Sequence, residues 1–101
     1  MVKHVVMWRL KEQANGLNQA ELGAELKVRL ESLVVKIPEI RSFEVGLNIA
    51  PGETASHVVL VSAFDDMGAL ERYVVHPDHQ LVVAFVREVV SERRVVDFEQ
   101  A

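Results

Sequence analysis

The chain contains no cysteine. That absence excludes thiol nucleophiles, disulfide staples and Cys-based zinc sites, and it fits a reducing compartment. Proline occurs three times and glycine five times in 101 residues. Punctuation is therefore sparse, and Pro38, Pro51 and Pro77 stand out as element boundaries. Eleven basic side chains face fifteen acidic ones, for a net charge of -4, and only Arg93 and Arg94 are adjacent basic neighbours. With no basic stripe to track a phosphate backbone, nucleic acid is not an expected partner. No apolar run approaches the ~20 residues of a membrane span. The opening MVKHVVMWRL also lacks the apolar core and small-residue cleavage site of a signal peptide. The expectation is a soluble, cytoplasmic protein with no membrane partner, folding as one domain over residues 1–101. Half of its residues are apolar, enough for a core without disulfides or metals.

What is present is periodic. Val2 to Leu10 carries apolar groups on both alternating faces, as a central strand does. Leu17-Asn18-Gln19-Ala20-Glu21-Leu22 is a helix start: Asn18 caps, Glu21 completes a capping box and Leu17 can staple onto Leu22. Leu22, Leu26, Leu30, Leu33 and Ile37 form a stripe that predicts a helix up to Pro38. Phe43, Val45, Leu47 and Ile49 alternate with Ser42, Glu44, Gly46 and Asn48 in a one-sided strand, and Pro51-Gly52 opens the next connection. His57 to Phe64 is again apolar on both faces. A helix starting near Asp65-Asp66 runs through Leu70 and Tyr73 and breaks at Pro77. Another follows with Leu81, Val82, Phe85, Val86 and Val89 on one side, and Arg94 to Glu99 makes a short last strand.

The order β-α-β-β-α-β predicts an α+β, ferredoxin-like fold, with helices on one face of a four-stranded sheet. Helices on one face leave the other bare. The two middle strands offer apolar residues to both sides, including Val5, Met7, Val58, Leu60 and Phe64, and an uncovered patch of that kind calls for a cover. A second copy packed sheet to sheet about a two-fold axis is the simplest one, so a homodimer is expected.

Two of the four histidines flank a proline in HPDHQ, residues 76–80. Proline favours the first position of a helix, which makes His76 the N-cap and leaves His79 in the first turn, near unpaired N–H groups and the positive end of the helix dipole. That environment disfavours the protonated ring, and a neutral histidine can accept a proton. Tyr73 falls on the last turn of the preceding helix. Taking the first and third strands as parallel neighbours puts His4 and His57 at one end of the sheet, with His76 and His79 above it, so that the imidazoles share a pocket. Simpler roles fit the same residues. His76 serves as a cap alone, His79 is held by a backbone carbonyl, His4 and His57 are buried strand histidines, and Tyr73 is a core-edge aromatic. His76 and His79, three apart, also have the spacing to share an ion, but no cysteine or clearly aimed carboxylate completes a metal site.

The blocks VKHVVMWRLKE, KIPEIRSFEVGLNIAP, HVVLVSAFDDMGALERYVVHPDHQ and RRVVDFE resemble the stress-responsive A/B barrel proteins of the dimeric α+β barrel group, over nearly the whole chain. The resemblance implies a tight homodimer whose two sheets form a barrel. One plant member is a polyketide cyclase that closes a β-keto chain by aldol condensation without a cofactor. Its catalytic tyrosine and histidine match Tyr73 and His79 in YVVHPDH, and its other pocket histidines match His4, His57 and His76. The helix QAELGAELKVRLESLVVKIP lacks that enzyme's aromatic lining for an alkyl tail. The resemblance thus implies a cofactor-free enzyme acting on a ketone or polyketide, with His79 as general base, Tyr73 as donor and His4, His57 and His76 around the substrate. Two other readings stand beside it: a non-catalytic stable dimer linked to stress, and a cofactor-free monooxygenase-like enzyme.

Overall fold

A computed structural model describes all residues, 1–101. The elements run β1 (Val2–Leu10), β2 (Gln13–Ala14), β3 (Leu17–Asn18), α1 (Gln19–Glu31), β4 (Ser42–Leu47), β5 (Val58–Phe64), α2 (Met67–Val75), α3 (Pro77–Val89) and β6 (Val90–Glu99). The main sheet has the order β4-β5-β1-β6, and every neighbouring pair is antiparallel. Three helices and a ferredoxin-like sheet match the expected α+β class.

One expectation is overturned. The strands carrying His4 and preceded by His57 are neighbours, but β1 and β5 are antiparallel, with Val2 opposite Phe64 and Trp8 opposite Val58. The reason is topological. A strand–helix–strand passage reverses the chain twice and leaves β1 and β4 pointing the same way, whereas the helix-free connection from β4 to β5 reverses it once. His4 and His57 therefore belong to opposite ends of the sheet.

The start of α1 follows its residues closely. The Asn18 side chain accepts from the Glu21 N–H at 2.9 Å, while the Asn18 N–H donates to Glu21 Oε1 at 2.9 Å, closing both halves of the capping box. The helix stops at Glu31, earlier than Pro38 implies. The next residues continue as turns, with Leu33 N–H donating to Leu30 O and Lys36 N–H to Leu33 O at 3.0 Å each. These i→i+3 bonds keep Leu33 and Ile37 in the core although the helix has ended. The small β2–β3 hairpin lies outside the alternation argument, although its turn is Asn15-Gly16, both at positive φ (52° and 77°), the geometry that favours this dipeptide between two strands. The last strand is longer than expected because it pairs along all of β1, from Glu99 opposite Val2 to Val90 opposite Leu10, with a bulge at Arg9/Leu10.

Nineteen buried apolar residues form one cluster between the helices and one sheet face. Of the side chains expected to crowd both faces, Val58, Leu60 and Phe64 go under the helices. The opposite face carries Val5, Val59 and Val61, all half-buried, together with Met7, Val96 and Phe98, which are 43%, 61% and 48% exposed. Cross-strand register aligns Val61, Val5 and Val96 in one row across that face.

Candidate active site

Three elements bring chemistry to one place. Strand β1 alternates, so His4, Val6 and Trp8 all point beneath the helices. Helix α2 ends with Tyr73 completely buried. Helix α3 begins at Pro77, with His76 as its cap: His76 Nδ1 accepts from the Asp78 N–H at 3.1 Å. That contact accounts for His76 as a cap. From there His79, Val82, Val83, Val86 and Arg87 follow the i, i+3, i+4, i+7, i+8 rule of a single helix stripe, and all five line a cavity of about 350 Å³. The opposite wall is Val6, Leu30 and Leu60, with Trp8 and Arg93 beside them. The volume is within the range of small-molecule pockets.

His4, Tyr73 and His79 meet at this cavity. The Tyr73 ring centroid lies 4.4 Å from that of His79 and 6.2 Å from that of His4. His57 and His76 are not on its wall. The antiparallel pairing puts His57 at the other end of the sheet, and His76 caps α3 beside the cavity rather than lining it. The His57 ring sits at the far end of β1, where its Nδ1 accepts the Leu10 N–H at 2.9 Å beside a separate recess of about 270 Å³.

Each ring at the site has one nitrogen assigned by its neighbours. His79 Nδ1–H donates to the Val74 carbonyl at 2.9 Å, leaving Nε2 as an acceptor in the neutral ring. His4 Nδ1–H donates to Asp97 Oδ1 at 2.5 Å, because His4 and Asp97 are cross-strand partners on β1 and β6. The carboxylate orients the imidazole. Burial holds the His79 pKa below its ordinary 6.5; the Val74 carbonyl opposes this, and His4, Arg93 and His76 add to it. Burial pushes the Tyr73 phenol up, against a smaller lowering by Arg93. At neutral pH the site therefore holds a neutral imidazole beside a protonated phenol.

Two buried polar atoms have no hydrogen-bond partner within the protein: Tyr73 Oη and Trp8 Nε1. Both residues line the cavity. Unpaired buried donors are rare in folded proteins and call for an explanation. Trp8, Asp97, Arg87 and Arg93 are not among the site residues named from the sequence. Asp97 and Arg93 come to it through strand pairing, which local spacing does not encode. Arg87 was readable as the continuation of the His79 stripe, and Trp8 as the residue four along from His4 on the same face of β1.

The depressed His79 pKa has a thermodynamic consequence. As pH falls below 6.5, the unfolded chain takes up this proton before the folded one, so the stability contributed by the neutral ring is complete above 6.5 and is lost toward the lower folded value. Thermal melts at about pH 8 and about pH 5.5 should show the wild type losing more melting temperature than His79→Gln, which removes the titrating group. Equal losses would mean that the ring is not desolvated as described.

The profile of the stress-responsive A/B barrel domain matches residues 2–100. This chain belongs to that family. An uncharacterized protein of Streptomyces coelicolor is 33% identical over 91 residues, covering 90% of this A/B barrel chain and 92% of the relative. A dimeric protein of unknown function with a ferredoxin-like fold from Bacteroides fragilis is 33% identical, with a TM-score of 0.84 over 98% of this chain and 95% of the other. A hydroxynitrile lyase from Passiflora edulis shares the fold, with a TM-score of 0.79 over 96% of this chain and 90% of the other, at 18% identity. The A/B barrel scaffold thus carries the His4–Tyr73–His79 cluster under its helices and an apolar row on its bare face.

Proposed function

We propose that this protein is a homodimer that binds a small carbonyl compound in the 350 Å³ cavity and moves a proton at the carbon next to the carbonyl, without a cofactor. The observation that carries the reading is the buried, unpartnered Tyr73 Oη beside His79, whose Nδ1 is already engaged. In the forward step His79 Nε2 takes the α-proton, the C–H electron pair becomes the enolate π-bond, and Tyr73 Oη–H donates to the carbonyl oxygen as negative charge develops there. Returning the proton regenerates the ketone; attack of the enolate on a second carbonyl of the same ligand gives aldol closure. His4, oriented by Asp97, lies beside the pair with its Nε2 free of that contact. Dimer formation through the bare sheet face is supported by its exposed Met7, Val96 and Phe98 and by the dimeric Bacteroides fragilis structure. The lyase from Passiflora edulis, at 18% identity, supports the scaffold only.

The test is deuterium exchange at the α-carbon of small ketones such as 2-octanone in D₂O, followed by NMR. Wild type should accelerate exchange above buffer, and Tyr73→Phe should lower the rate by about a hundred- to a thousandfold, the span seen when an oxyanion donor is removed. Because Tyr73 Oη has no protein partner, its removal should leave the melting point unchanged or raised. Exchange by Tyr73→Phe at the wild-type rate would remove the phenol from the mechanism.

A further inference from the structure

The cavity has chemistry at both ends. His4, Tyr73 and His79 occupy one; at the other, Arg87 continues the α3 stripe and Arg93 stands opposite Trp8 on β6. His79 and Arg87 are eight positions apart, about 12 Å along the helix axis at 1.5 Å per residue. The stretch between them is apolar, formed by Val82, Val83 and Val86.

The two arginines are free to receive an anion. Neither makes an ion pair, although the molecule carries eight, and no aspartate or glutamate lines the cavity. The nearest acids in sequence are already engaged. Glu92 is held by Arg94 at 2.5 Å and reached by Arg9 at 4.0 Å, and Glu88 accepts from the Asn15 amide at 2.9 Å. In a chain with fifteen acidic and eleven basic side chains, a wall with two unpaired guanidiniums and no carboxylate is a local inversion of charge. The charge of Arg93 also reaches the reactive end, where it lowers the proton affinity of both Tyr73 and His79.

We propose that the ligand is a medium-length oxo-carboxylate, its carbonyl at the His4–Tyr73–His79 end and its carboxylate held by Arg87 and Arg93. This rests on the carbonyl reading above and narrows its substrate class. Planar guanidiniums suit a carboxylate in a paired, two-bond contact. A charge at one end and a carbonyl at the other would orient the chain in a single direction along the apolar stretch.

A matched pair of probes tests it: 7-oxooctanoate and 2-octanone, which differ only in carrying a carboxylate or a methyl group at the far end. Calorimetric titration of the wild-type protein at low salt should show the acid binding about tenfold tighter, the scale of one charge-assisted contact partly exposed to water. The ratio should fall toward one in Arg87→Gln/Arg93→Gln. In unmodified protein, which needs no folding control, added NaCl should weaken the acid and leave the ketone unaffected. Equal affinities for the two probes, a ratio that survives the double substitution, or no binding of the acid at millimolar concentration would overturn the proposal. Failure here separates from failure of the enolisation reading. A ketone that binds and exchanges as well as the acid sinks the carboxylate site alone, while an acid that binds tightly without exchange sinks the chemistry alone.

Discussion

His79→Ala should abolish α-proton exchange while leaving a folded dimer. General bases contribute roughly 10²- to 10⁴-fold to rate, so the expected loss is at least about a hundredfold. The cost to stability should be small, because the ring is only half-buried, packs on one face against Tyr73 and makes one hydrogen bond, to a carbonyl that Gln80 Nε2 also reaches at 2.6 Å. About 1 kcal/mol is the order expected for a change of that kind, a shift of a few degrees in melting temperature. The pH profile gives an independent check. With the His79 pKa held below 6.5 by burial, the wild-type exchange rate should be level through neutrality and decline only on the acid side of that value, as the base becomes protonated. A variant that keeps its rate, or one that unfolds or dissociates, would make His79 a structural residue.

Val96→Glu should split the dimer. Val96 is 61% exposed in the single chain and lies on the face away from the helices, opposite Val5. A carboxylate there would be hydrated in a monomer, so the fold of each subunit should persist. In a sheet-to-sheet dimer the same substitution enters twice through the two-fold axis and strips water from both charges, at several kcal/mol or more. A weakening of dimerisation by at least about a hundredfold follows, visible in sedimentation as monomer at micromolar protein. Serine at the same position should have a much smaller effect, since it loses apolar area without burying charge. If the glutamate variant sediments as the wild type does, the bare face is covered by something other than a second copy.

The two experiments are coupled by the architecture. The exchange site lies between helices and sheet within one chain, and the row of Val61, Val5 and Val96 lies on the sheet's other side. If β1 and β6 keep their register without the partner, Val96→Glu should retain exchange while losing the dimer. If the sheet loosens, the His4–Asp97 contact, which depends on that register, should go with it, and both activities should fall together.

Much of this molecule is local and was readable as such. The 3.6-residue stripes placed the helices, the two-residue alternation placed the strands, Asn18 and Glu21 marked the α1 start, and Pro77 marked the break that makes His76 a cap. Those signals act over a few residues, within reach of backbone hydrogen bonds and rotamers. The number of apolar faces also pointed past one chain, because helices packed on one face leave the other face of the sheet bare. Tertiary structure alone decided the relations between distant segments. It made β1 and β5 antiparallel, sending His57 away from His4. It set Asp97 across from His4 and Arg93 across from Trp8 through ninety-odd and eighty-odd residues of intervening chain. It also left Tyr73 Oη and Trp8 Nε1, on two residues of one cavity lining, buried without partners. The physical reason is that strand direction and register are settled by burying the whole core at once, so the neighbours they create, and the chemistry of those neighbours, leave no mark on local spacing.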